Sequence, residues 1–70
     1  MRVNVAKLKG RTVECGLTGD SLAKKLDIDQ STYYRKLKDG GTSFTVGQVY
    51  LIIEALSLNN EEANDIFFSP

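Results

Sequence analysis

The residues best suited to chemistry stand on nine consecutive positions, Gln30-Ser-Thr-Tyr-Tyr-Arg-Lys-Leu-Lys38. If this stretch is helical, Tyr33 and Leu37 share one side, because positions four apart stack one above the other. Gln30, Ser31, Tyr34, Arg35 and Lys38 then fall on the opposite side. An amide, a hydroxyl, a phenol, a guanidinium and an ammonium in a row supply no general acid or base for neutral pH. They are hydrogen-bonding groups of the kind that meet base edges and phosphates when a protruding helix enters the major groove. Arg35 suits a bidentate contact to guanine, worth ~1–3 kcal/mol of discrimination. Its alternatives are a phosphate contact or an ion pair with Asp39 at i,i+4. Gln30 and Ser31 read bases, or they are a polar helix start and nothing more. Tyr34 meets a thymine methyl or a phosphate, or it packs on a neighbour such as Tyr33 or Lys38.

Such a helix must be held up by others, and the flanking sequence supplies them. Thr18 is a helix N-cap, and Asp20 falls in the first turn, where the helix dipole favours an acid. Leu22, Ala23 and Leu26 form the buried side of that helix. Ala23 is small enough for two helices to cross steeply. The turn is Leu26-Asp27-Ile28-Asp29. Asp27 takes the left-handed position, which Asp tolerates better than most residues. Ile28 buries between the two helices, and Asp29 caps the next, which ends near Lys38 before Gly40-Gly41. The two-helix unit covers about residues 18–40.

Upstream, Val5, Leu8, Thr12 and Cys15 recur at helical spacing, with Val13 beside them, which predicts a helix over 5–15. Gly10 inside it costs roughly 1 kcal/mol relative to Ala. Gly16 is a left-handed stop and Leu17 folds back on the last turn. Cys15 reads as a small buried apolar group. Downstream, Thr45-x-x-Gln48 is a capping box, with Phe44 and Val49 as its hydrophobic staple. The helix that follows runs to about residue 56 and places Val46, Val49, Tyr50, Ile53 and Leu56 on one face, widened by Ile52. Asn59-x-x-Glu62 is a second capping signal, with Leu58 and Ala63 as staple. A last helix runs to about residue 68 and carries Ala63, Ile66 and Phe67 inward, and Pro70 ends the chain. No segment alternates with period two. The expectation is an all-α fold of five helices in a single domain over residues 1–70.

Net charge is zero, but it is unevenly divided: residues 1–38 carry +5 and residues 39–70 carry −5. That asymmetry suggests one half that faces an anionic partner and one that does not, against the plain alternative of segregated surface charge. The chain has one Cys and no His, which excludes a structural zinc site and points to a reducing compartment. No metal or cofactor is expected. No apolar run approaches the ~20 residues that span a bilayer. The start MRVNVAKLKG lacks the apolar core of a signal peptide, so a cytoplasmic location is expected.

The block Leu22-Ala23-x-x-Leu26-x-Ile28-x-x-x-x-Tyr33 resembles the apolar skeleton of the lambda-repressor-like, Cro-like (xenobiotic-response-element) helix-turn-helix family. The capped fourth helix and short fifth helix extend the resemblance over nearly the whole chain. It is most similar to small stand-alone regulators of bacteriophages and mobile elements. The resemblance implies a DNA-binding transcription regulator, most often a repressor, acting on a double-stranded DNA operator as a dimer. Gln30 and Ser31 match the family's base-reading positions, and Tyr34 and Arg35 match its next exposed turn. Lys38 matches a phosphate contact near the helix end. Thr42, Ser43 and the start of the fourth helix match a backbone-clamping loop. Gly19 stands where the family commonly has a phosphate-contacting Gln, and Asp27 where it commonly has Gly.

Three further assignments follow. Thr18, Lys24 and Lys36 are phosphate-contact candidates; the two lysines, like Lys25, read equally well as solvated charges. Lys7, Lys9 and Arg11 read as solubility charges. Two adjacent rings on a helix cannot point the same way, so of Phe67 and Phe68 one closes the core and the other is free for a homodimer contact; the alternative is that both lie partly buried under the corner between the last two helices. An enzyme is not expected. The competing function is a helix-turn-helix-fold protein-interaction module, antitoxin-like or an anti-regulator, with little or no DNA binding.

Overall fold

Three-residue punctuation shapes most of the molecule. The computed structural model describes residues 2–68. It contains α1 (Val5–Glu14), α2 (Gly19–Lys25), α3 (Gln30–Lys38), α4 (Val46–Ala55) and α5 (Asn60–Ala63), the last running on as a π-helical turn over Asn64–Phe68. There is no strand among the described residues. Helices α1, α2 and α4 each end on a left-handed residue, then an apolar residue, then the cap of the next helix: Gly16-Leu17-Thr18, Asp27-Ile28-Asp29 and Ser57-Leu58-Asn59.

The hydrogen bonds show why the pattern repeats. In each case the left-handed residue donates its N–H three residues back and the apolar residue donates five back, which satisfies carbonyls the helix leaves open. The pairs are Gly16 to Val13 and Leu17 to Thr12, Asp27 to Lys24 and Ile28 to Ala23, Ser57 to Glu54 and Leu58 to Ile53, all at 2.9–3.2 Å. Helix α3 ends in the same way, with Gly40 bonded to Leu37 and Gly41 to Lys36. Asp27 does take the left-handed conformation, at φ 57°. Ser57, at φ 51°, does so too, with no glycine to announce it.

The starts of α2, α4 and α5 follow the caps read from sequence, α3 does so only in position, and α1 is capped by Asn4, for which no cap was read. Gln48 N–H donates to Thr45 Oγ1 at 3.1 Å while Thr45 N–H donates to Gln48 Oε1 at 3.0 Å. Asn59 and Glu62 close the same reciprocal pair at 2.8 and 3.0 Å. Thr18 Oγ1 accepts from Ser21 N–H. Asp29 occupies the cap position of α3, but its side chain makes no capping hydrogen bond.

The core is built from Leu8, Leu22, Ala23, Leu26, Tyr33, Leu37, Phe44, Val49, Ile52, Leu56 and Ile66, closed by Phe67. Fully burying one such large side chain contributes about 1.5–3 kcal/mol. Helix α2 packs on both α3 and α4, and α1 packs on the π-helical turn. The N-terminal residues tie distant parts together: Val3 N–H donates to Gly40 O at 2.9 Å and Asn4 N–H to Ile66 O at 2.7 Å. Gly41 is needed there twice over, because its φ is +74° and a Cβ on it would collide with the Val3 side chain. The radius of gyration is 10.7 Å, near the ~11 Å of a folded chain this long.

Three expectations about the core are corrected. Cys15 is exposed and not buried: α1 stops at Glu14, so Cys15 is the cap residue, with its thiol leaning on Leu56 O at 3.6 Å. Val13 also points outward. On α4 the inward stripe is Val49, Ile52 and Leu56, with Ile53 half-buried, while Val46 and Tyr50 are 68% and 65% exposed. This helix is apolar nearly all round, so its sequence left its rotation undecided; contact with α2 sets it. Phe67 is buried and Phe68 is 56% exposed, which removes the alternative that both rings lie partly buried. The wider π-helical turn lets the neighbours Ile66 and Phe67 both face inward. Pro70 lies outside the described residues.

Candidate nucleic-acid interface

Helix α3 is anchored by Tyr33 and Leu37, which are 2% and 7% exposed. Tyr33 packs edge-on against Tyr34, with ring centroids 5.8 Å apart, and against Phe44 at 5.9 Å. Burial, and secondarily the neighbouring Tyr34, pushes the Tyr33 phenol up to about 12. With its inner side fixed in this way, α3 turns Gln30, Ser31, Tyr34, Arg35 and Lys38 to the outside.

Those outer side chains differ in what already engages them. The side chains of Gln30, Ser31, Arg35 and Lys38 make no hydrogen bond or ion pair among the described residues. In particular, Arg35 forms no pair with Asp39 at the next turn. Two of the three basic residues of α1 behave otherwise: Lys7 lies 3.9 Å from Asp65, and Arg11 lies 3.7 Å from Glu14 and 3.5 Å from Glu62, whereas exposed Lys9 has no ion pair among the described residues. Arg11 and Glu62 thereby link α1 to α5. The Arg11 Nε is buried, and its contact with Glu62 is ionic, without hydrogen-bond geometry. The cations of α1 are therefore spent partly inside the molecule, and most of those on α3 are free.

Lys36 is the exception on α3. It is half-buried, donates to Ser43 O at 2.9 Å and lies over the Phe44 ring at 5.8 Å. Its charge is folded onto the loop after α3. That loop exposes Thr42 and Ser43, with the Thr42 hydroxyl donating to Asp39 O at 3.3 Å. Thr18 is exposed at the start of α2, where its hydroxyl is shared between Ser21 N–H and Ser21 Oγ. Lys24 is exposed at the far end of α2, on a shallow depression lined also by Asp27, Ile28, Asp29 and Thr32. Thus Ser31, Arg35 and Lys38 share one helix face, and Gln30 is exposed at the first position of α3. Thr18 and Lys24 flank it on α2, and Thr42 and Ser43 follow it in the chain.

Tyr34 packs on Tyr33, as one of its two sequence readings has it, and makes two further contacts that sequence reasoning missed. Its ring lies on Gly19, the first residue of α2, and its hydroxyl donates to Asp20 Oδ1 at 3.2 Å. Partial desolvation, and then the Asp20 carboxylate, hold the Tyr34 phenol above its ordinary value. Neither Gly19 nor Asp20 was singled out as Tyr34's partner. The only trace in the sequence was a glycine at a helix start that its backbone does not require.

The arrangement defines a small all-helical domain with a polar, cation-bearing face on α3. No family model, curated protein or solved structure matches the chain. No helix among the described residues is long and apolar enough to cross a membrane.

Proposed function

We propose that this chain is a sequence-specific regulator that binds double-stranded DNA, of the lambda-repressor-like, Cro-like helix-turn-helix class. In this reading α2, the Asp27 turn and α3 form the helix-turn-helix, and α3 enters the major groove. The carrying observation is that Ser31, Arg35 and Lys38 stand exposed and unpaired on one side of a helix whose other side is locked by Tyr33 and Leu37, with Gln30 exposed and unpaired at its first position. Side chains free of internal partners keep their full hydrogen-bonding capacity for base edges and phosphates. The +5 balance of residues 1–38 adds an attractive field for a polyanion. The protein acts by binding in the cytoplasm, without catalysis or a cofactor. It represses transcription as a homodimer that matches a two-fold operator, as phage and mobile-element regulators of this class do. The exposed Phe68 on the π-helical turn offers an apolar contact for the second copy.

Fluorescence titration of labelled duplexes from the DNA flanking the gene tests this. Affinity should fall steeply with salt, as phosphate contacts release counterions. Arg35→Ala should cost ~1–3 kcal/mol and relax the preference at one base pair. Equal affinity for flanking and scrambled duplexes would end the claim of specificity.

A second reading has its own observation. Val46, Tyr50 and Leu51 leave an exposed apolar face on α4, in the half of the chain that carries −5. That suits a protein-interaction module, antitoxin-like or an anti-regulator. Absence of any duplex retardation at low salt would favour it over the first reading.

A further inference from the structure

Gly19 has no backbone reason to be glycine: it opens α2 in ordinary helical conformation and carries no positive φ. What its missing side chain provides is space. A Cβ at Gly19 would stand 2.6 Å from Tyr34 Cζ and 2.8 Å from Tyr34 Cε1, and would overlap the hydroxyl. These atoms are the far end of the Tyr34 side chain, so the ring would have to shift from this seat. Two more contacts hold it where it is: the hydrogen bond to Asp20 at 3.2 Å and the edge-on packing of Tyr33. An exposed tyrosine on a helix ordinarily samples more than one rotamer. Here three contacts select one, and the ring is still 44% exposed on the outer side of α3.

We infer that Gly19 is a specificity-determining position: by seating Tyr34 against α2 it fixes where the ring edge stands, and so which base pair on the duplex the ring meets. The inference rests on the DNA-binding reading above. An aromatic edge carries no charge and discriminates by apolar contact, for which the thymine methyl is the matching group in the major groove. Gly19 itself touches no base. It acts through Tyr34, which makes it a positioning residue. Asp20 contributes by accepting the hydroxyl's hydrogen bond, which turns that carboxylate oxygen toward the protein.

Binding preferences of the wild-type protein, Gly19→Ala, Tyr34→Phe, Tyr34→Ala and Gly19→Ala/Tyr34→Ala, read by selection from a randomised duplex pool, test this. Circular dichroism confirms that each variant is folded, and Ala suits the first turn of a helix better than Gly. Gly19→Ala should shift the preference at one base pair by about fivefold, the ratio that ~1 kcal/mol of discrimination gives, with salt dependence unchanged. Tyr34→Phe, which keeps ring and seat, should retain the preferred base with a weaker ratio. Tyr34→Ala should erase the preference at that pair, and the double variant should match Tyr34→Ala. A selective wild type whose Gly19→Ala profile is superimposable on its own overturns this inference and leaves the DNA-binding reading standing. So does a double variant that differs from Tyr34→Ala at that pair. A wild type with no preference for any duplex overturns both.

Discussion

Helices α3 and α4 are nearly equal in length and each is anchored by a few large inward side chains, yet their outer sides are opposites. Helix α3 hides Tyr33 and Leu37 and shows Gln30, Ser31, Arg35 and Lys38. Helix α4 hides Val49 and Ile52 and shows Val46, Tyr50 and Leu51. Their starts differ as well: α4 has a complete capping box, and α3 has a cap residue that makes no side-chain bond. The contrast separates two kinds of information. Inner sides and caps serve stability, whereas an outer side is free to be spent on a partner. Polar residues that no longer serve the fold are therefore better functional evidence than buried ones.

The largest effect expected from breaking this contrast lies on the inner side of α4. Ile52 is fully buried, so Ile52→Ala should cost about 2–5 kcal/mol in urea unfolding. Val46→Ala, six positions earlier on the outer side, should change stability by less than ~0.5 kcal/mol. Comparable losses at both sites would mean that α4 is rotated from the orientation described.

The inner side of α3 is open to a pH test. The Tyr33 phenol is raised from 10.0 to about 12 on folding. A folded pKa above the unfolded one means that the native state favours the neutral phenol. Its stabilisation is complete below pH 10 and is lost as pH rises through about 12. Urea midpoints followed by circular dichroism should fall across that window, and Tyr33→Phe should flatten the fall. An equally steep decline in the Phe variant would assign the loss to other groups.

The caps sharpen the comparison at a smaller scale. Thr45→Ala removes one half of a reciprocal pair and should cost ~1 kcal/mol. Asp29→Ala forfeits only the favourable charge at a helix start, ~0.3–0.5 kcal/mol. The order of the two losses, measured by chemical unfolding, is the test.

The smallest change in stability is expected on the outer sides. Arg35→Ala and Tyr50→Lys should each leave stability within ~0.5 kcal/mol of wild type. Only Arg35→Ala should weaken duplex retention in the titration. Equal loss of binding in Tyr50→Lys would place α4 at the interface too.

Much of this molecule was legible because much of it is local. Gly16-Leu17-Thr18 and Asp27-Ile28-Asp29 announce a helix end and a helix start within three residues, through hydrogen bonds that reach back three and five positions. The capping boxes at Thr45 and Asn59 span only four residues each. The α3 face was readable because only two of its inward positions are large and apolar, so a single rotation buries them. Ser57 escaped notice because serine seldom takes a left-handed conformation, and no glycine or Asp marks the turn that its hydrogen bonds and the buried Leu58 secure. Cys15 was misplaced because one residue decides whether it continues the α1 stripe or caps it.

What the amino-acid order settled by itself was where the chain bends and which segments coil, since those choices are made by neighbours a few bonds apart. Tertiary packing alone decided the rotation of α4, the pairing of Arg11 with Glu62 and the seating of Tyr34 on Gly19. Each of these depends on groups brought together from distant parts of the chain, and a helix that is apolar on every side, or an aromatic ring with several open rotamers, has no local reason to prefer one answer.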